Sequence, residues 1–177
     1  MIDGSFSRCL QILLRCTDVL HHTKEGSEYG FINFNVYPMI IPRLVKTIYI
    51  LGEPLTYGTH GRVCDKIASS LVQFLGSFYP DALIVVRRGH HYDGMLMLMK
   101  ASVTICPTSS FCLWPAISNN HNAYFAHIWF RGHADIFMTE HFHWLNYPPL
   151  TFFGHLNVSD ENIAESIVKQ LSTVTAV

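Results

Sequence analysis

The chain has 177 residues, of which 49% are apolar and only 14% charged, with a formal net charge of -1. That length suits one domain burying roughly 70% of its unfolded surface, and the apolar share excludes a disordered chain. No basic run or stripe is present, which argues against duplex nucleic acid as the main partner.

The first 44 residues carry the weakest pattern. Cys9-Leu-Gln-Ile-Leu-Leu14 is too short to span a bilayer and is followed at once by Arg15. The spacing of Leu10, Leu13, Leu14 and Leu20 predicts one face of an amphipathic helix. No signal-peptide pattern and no membrane segment is read in this chain.

From residue 45 onward strands and helices alternate. Val45–Leu51 is a β-branched strand ended by Gly52-Glu-Pro54. Arg62–Phe78 places Val63, Ile67, Leu71, Phe74, Leu75 and Phe78 at helical spacing and stops before Pro80. Leu83–Val86 is a strand buried on both faces and closed by Arg87-Arg88-Gly89. A Met-rich helix over Asp93–Ala101 follows, then the Val103–Cys106 strand and a polar turn, Pro107-Thr-Ser109-Ser110, opening another helix. Pro115 suits a helix's first turn, so that helix is expected to start near Cys112.

Ala123–Ile128 reads as one more strand, and Arg131–Gly154, with Pro148-Pro149, as a long aromatic loop. Asn157-Val-Ser159 is expected to open a last helix, with Ser159 as N-cap and Ile163, Ile167 and Leu171 on its buried face. The whole predicts a single α/β domain over 1–177, with a Rossmann-like parallel sheet and helices on both faces. Residues 1–44 are the obscure segment, 45–120 the ligand-binding core, and 121–177 a His- and aromatic-rich loop with a closing helix.

Ligands of such sheets sit at the carboxyl ends of the strands. Those ends are expected at Leu51–Thr59, Arg87–Asp93 and Cys106–Phe111. Ser109 and Ser110 place two hydroxyls and several backbone N–H groups at a helix N-terminus, an arrangement that holds phosphate; a plain N-cap is the other reading. Gly58-Thr59-His60-Gly61-Arg62 offers a second such rim. Arg87 and Arg88 suit either anion contact or a solvated strand end.

The Met95/Met97/Met99 stripe reads as core packing. His141-Phe-His143, with His133 and Glu140, invites a metal reading, but no spacing fixes a third ligand, so no metal is expected. The five cysteines form no CxxC pair; Cys106 and Cys112 read as small buried hydrophobes, and an odd count leaves at least one thiol unpaired.

The order strand, Arg-Arg-Gly loop, Asp93, Met-rich helix, strand, and Ser109-Ser110-Phe111-Cys-Leu-Trp114-Pro-Ala116 resembles the donor half of GT-B glycosyltransferases. It is most similar to GDP-fucose-dependent α-1,2-fucosyltransferases, over roughly residues 45–120. The resemblance implies the C-terminal half of a GT-B fold. It implies a nucleotide sugar, GDP-fucose or another, as donor substrate with no further cofactor, and a glycan acceptor. Ser109 and Ser110 would cradle the diphosphate and Asp93 would lie near the base or ribose. Phe111 and Trp114 would anchor the loop, and Arg87, Arg88 and His60 complete the donor-binding set. It implies a Golgi lumen address for a eukaryotic enzyme and a cytoplasmic one otherwise. The family's upstream His-x-Arg-x-Gly-Asp element has no counterpart before residue 45. The chain is therefore read as a transferase, whole or fragment, or as a non-catalytic binding module derived from one.

Overall fold

The computed structural model describes residues 9–16, 19–20, 30–52, 59–126, 140–145 and 162–173, without the side chains of 59 and 60. Six strands form one parallel sheet: β1 (Cys9–Leu14), β2 (Thr47–Gly52), β3 (Leu83–Arg88), β4 (Val103–Cys106), β5 (Asn122–Ala126) and β6 (Phe142–Leu145). Their spatial order is β3-β2-β1-β4-β5-β6, and every neighbouring pair is parallel. The α/β Rossmann-like class expected from the strand pattern is therefore the fold of the chain.

The helices are α1 (Tyr37–Ile40), α2 (Thr59–Phe78), α3 (His91–Lys100), α4 (Ser110–Ser118) and α5 (Ile163–Ser172), with a 3-10 turn at Phe34–Val36. Alternation along each strand splits the core in two. Leu10, Ile12, Ile48, Ile50, Val103 and Ile105 meet α2 and α5 through Ile67, Leu71, Ile167 and Leu171. Leu13, Leu51, Cys106 and Phe125 meet α3 and α4 through Leu98, Leu113 and Ala116. The faces follow the direction of travel along the sheet: α2 covers the step from β2 out to β3 on one face, and α3 and α4 cover the return to β4 and the step to β5 on the other, while α5, after β6, comes back to the first.

Four readings of the sequence are corrected. The strand Leu83–Val86, expected to be buried on both faces, is the edge strand β3, with Leu83 exposed and Ile84, Val85 and Val86 half-buried. Where the amphipathic helix is expected to begin, Cys9–Leu14 is instead the central strand, β1, buried between β2 and β4; Leu20 lies beyond it in a helical turn, its N–H bonded to the Cys16 carbonyl. In a six-residue apolar run, i, i+3, i+4 spacing fits a doubly buried strand as well as a helix face, and tertiary pairing decides. The long loop expected over 131–154 contains β6, which pairs with β5 from Ala123↔Phe142 to Ala126↔Leu145.

The helix α4 starts at Ser110, not near Cys112, and takes Pro115 into its interior. The carbonyl of Ser109 accepts the N–H groups of Cys112 (3.1 Å) and Leu113 (3.0 Å), so the first turn closes ahead of the proline. Pro115 removes only the bond that would have reached Phe111, and its ring is buried.

The last helix begins at Ile163 with Asn162 at the capping position, and Ile167 and Leu171 are buried as expected. Ile128, His133, Pro148-Pro149, Asn157, Ser159 and the Glu53–Gly58 stretch lie outside the described residues. No described helix is long and apolar enough to cross a membrane.

Candidate functional site

A parallel sheet brings the carboxyl ends of all its strands to one rim. The order here reverses between β1 and β4: the chain leaves β1 toward β2, and leaves β4 toward β5 over the opposite face. Loops diverging from two adjacent strand ends open a crevice between them, and that is where open α/β sheets take their ligands. The Pro107–Ser109 turn into α4 leaves the sheet at this point, with all three of its residues buried.

That turn is held from three sides. Cys106, the last residue of β4, is disulfide-bonded to Cys112 in the first turns of α4. The buried Thr108 hydroxyl donates to the Ala126 carbonyl at the end of β5, 2.7 Å away. Phe111 reaches across to α3, its ring 5.9 Å from that of His91 and lying over Gly94, where an added Cβ would come 3.8 Å from the Phe111 ring.

The expectation that Cys106 and Cys112 are free buried thiols is thus corrected: they form one disulfide, and Cys16 and Cys64 form a second, leaving Cys9 free. Cys16 follows β1 and Cys64 lies in α2, so the second bond ties the other side of the rim. Pairing depends on which strand ends the fold makes neighbours, which cysteine spacing does not carry.

The two serines part company. Ser109 occupies the N-cap position in extended conformation, but its side chain makes no capping bond and the residue is only 2% exposed. Ser110 is exposed, at the first position of α4. Their hydroxyls do not share a surface: of the pair only Ser110 is open to solvent at the start of α4, where the Cys112 N–H is already taken by the Ser109 carbonyl. Trp114, expected to anchor the turn beside Phe111, is 60% exposed and does not anchor it.

The remaining candidates are spread along the rim. Asp93 is exposed in the first turn of α3, turned away from the helix face on which His91 and Gly94 meet Phe111. Arg87 and Arg88 end β3 and point to opposite faces of the sheet. The Arg87 guanidinium lies 4.8 Å from the centre of the Tyr49 ring, and Arg88 is ion-paired with Asp65 of α2. Three strand spacings separate β3 from β4, about 14 Å. The structure therefore brings Phe111 of α4 against the start of α3 at His91 and Gly94, and leaves the strand that ends in Arg87 and Arg88 three positions along the sheet from β4. His60 lies in the first turn of α2, across the sheet from α4, and its side chain is outside the described residues.

The His-rich segment is occupied in packing. The His143 ring stacks on Tyr124 at 5.0 Å and its Nε2 lies 3.2 Å from Asn122 Oδ1, while His141 Nε2 is 3.1 Å from Glu140 Oε1. Among the described residues no group of three His, Cys, Asp or Glu side chains is arranged to hold a metal ion. Of the methionines, Met97 packs on the α3/α4 core.

What sequence reasoning missed at this site is β1, which creates the switch point, and the part of Tyr92 in the ring cluster at the start of α3; His90 and His91 read from sequence either as a base-stacking ring or general base, or as plain loop histidines. There His90 and Tyr92 stack at 5.2 Å with 21° between their planes. The signal for the second was the run His90-His91-Tyr92, three rings in succession at a strand-to-helix turn. No family model, no curated protein and no solved structure matches the chain.

Proposed function

We propose that this chain binds a nucleotide sugar, with GDP-fucose the favoured donor, as the donor half of a GT-B-type glycosyltransferase acting on a glycan hydroxyl. The observation that carries the reading is the β4–α4 turn. It sits at the switch point, is fixed by a disulfide, by Thr108 and by Phe111, and presents Ser110 with the first-turn N–H groups of α4 to the rim. A nine-residue helix aimed in this way favours negative charge at its start.

In the reaction an acceptor hydroxyl attacks the anomeric carbon and gives up its proton to solvent or a base, while the bond to the phosphate oxygen breaks and the nucleoside diphosphate departs with the bonding electrons. The role of α4 is electrostatic: donors fixed in advance face the charge that grows on the departing phosphate. The disulfide supports such positioning, because a loop already ordered loses little freedom on binding. Two disulfides also suit an oxidising compartment such as the Golgi lumen.

Isothermal calorimetry with GDP-fucose tests the reading, using Ser110→Asp as the control. The native chain should release binding heat, and a carboxylate at residue 110 should weaken affinity at least about tenfold through repulsion of the diphosphate. No heat, or equal affinity for both proteins, would count against it. The ion pair of Arg88 with Asp65 favours a second reading, a binding module without turnover, and a transfer assay separates the two.

A further inference from the structure

The starts of α3 and α4 lie side by side at the rim, and four rings gather there. His90 stacks on Tyr92, and His91 meets Phe111 edge-on at 5.9 Å with 70° between planes. Phe111 is the residue after Ser110, so the cluster begins one residue from the helix start assigned to phosphate. Tyr92 is 71% exposed although its ring is held nearly parallel to that of His90.

An exposed tyrosine ordinarily loses rotamer freedom when it is fixed and gains little by burial. Here the stack holds one face of Tyr92 and leaves the other open to solvent. Paired flat rings with an open face offer a surface on which another flat, polarisable ring can stack. His90 and His91 add ring edges with N–H groups able to donate beside it.

We infer that the His90–Tyr92 stack is the platform for the nucleobase of the ligand, and that it makes the site select a nucleoside diphosphate over a bare diphosphate. This rests on the phosphate reading of Ser110 and α4, and it adds a specificity determinant on a different helix. Its position suits the ligand's shape. The base of a nucleoside diphosphate lies a ribose away from its phosphates, and the platform lies one helix away from Ser110 along the same rim. Because base and phosphates rest on separate helices, the two contributions are separable.

The experiment compares GDP with inorganic pyrophosphate by calorimetry on the native protein, on Tyr92→Ala and on Ser110→Asp. Both substituted residues are exposed, and circular dichroism verifies that each variant is folded. GDP should bind native protein at least about tenfold more tightly than pyrophosphate, the size of one base–aromatic stack. Tyr92→Ala should shrink that preference to about threefold or less, leaving pyrophosphate affinity unchanged. Ser110→Asp should weaken both ligands.

Equal native affinities for GDP and pyrophosphate would overturn the platform while sparing the phosphate site. So would a Tyr92→Ala variant that keeps the full preference or weakens both ligands alike. Binding of neither ligand would overturn the phosphate reading and the platform with it.

Discussion

Asn119 shows how much one buried polar side chain can organise. It follows α4 at its C-cap, and its Nδ2 lies 2.8 Å from the Leu98 carbonyl, 3.0 Å from the Ala101 carbonyl and 3.0 Å from Thr104 Oγ1. Its Oδ1 accepts the His121 N–H at 2.6 Å. The end of α3, the middle of β4 and the approach to β5 are thereby joined through one carboxamide. Truncation to alanine would remove this donor from the Ala101 carbonyl and Thr104 Oγ1 and leave the Leu98 carbonyl with only the Thr104 hydroxyl, so Asn119→Ala should cost about 2–4 kcal/mol in urea unfolding.

Two tyrosines make a prediction of a different kind. Burial pushes the Tyr37 phenol well above its ordinary value of 10.0. Burial also raises Tyr79, partly offset by the Arg43 charge, and its hydroxyl donates to the Ile41 carbonyl at 3.0 Å. Above pH 10 an unfolded chain releases these protons while the folded one keeps them. Stability should thus be undiminished below about pH 10 and fall as pH rises past it. Urea titrations at pH 8 and pH 11 would measure the drop, and Tyr79→Phe should reduce it.

Among the elements, those with two independent signals were legible. The periodicity of α2 runs through Val63, Ile67, Leu71 and Leu75, all buried, and β4 has the bounds expected of Val103–Cys106. In contrast, β1 carried only one signal, an apolar run whose six residues satisfy both periods. The strand β6 was hidden by its aromatics: Phe142 and Trp144 face the α3/α4 side while His143 faces Tyr124, an alternation masked by residues that are large on both faces. The site was half legible for the same reason. Ser110 and Phe111 were visible beside a clear strand end, whereas the neighbour that makes the crevice, β1, comes from nearly a hundred residues earlier. Asn33 and Asn35 illustrate the limit further, since they satisfy the carbonyls of Thr173 and Ser172 at the end of α5 from 140 and 137 residues away. Nothing local in either asparagine announces that partner.

At the scale of the molecule, the disulfides divide the labour between stability and shape. Cys16–Cys64 spans 48 residues and Cys106–Cys112 only 6. Loop-closure entropy then assigns about 4 kcal/mol to the first and about 2 kcal/mol to the second. Cys16→Ala with Cys64→Ala should therefore lower the melting temperature more than Cys106→Ala with Cys112→Ala. The second pair of changes should instead weaken GDP-fucose binding by loosening the turn. Mass spectrometry after alkylation of unreduced, denatured protein should find one labelled cysteine, Cys9, and five after reduction.

The central place of β1 sets the order in which this chain can be built. Cys9 receives both the N–H and the hydroxyl of Ser102 on its carbonyl, a closure spanning 93 residues. During synthesis β1 therefore emerges first but keeps one hydrogen-bonding edge vacant until residues 103–106 leave the ribosome. Such distant pairing slows folding and exposes a sticky apolar ribbon meanwhile. A nascent chain stalled before residue 103 should accordingly recruit chaperones and resist any attempt at isolation as a soluble fragment.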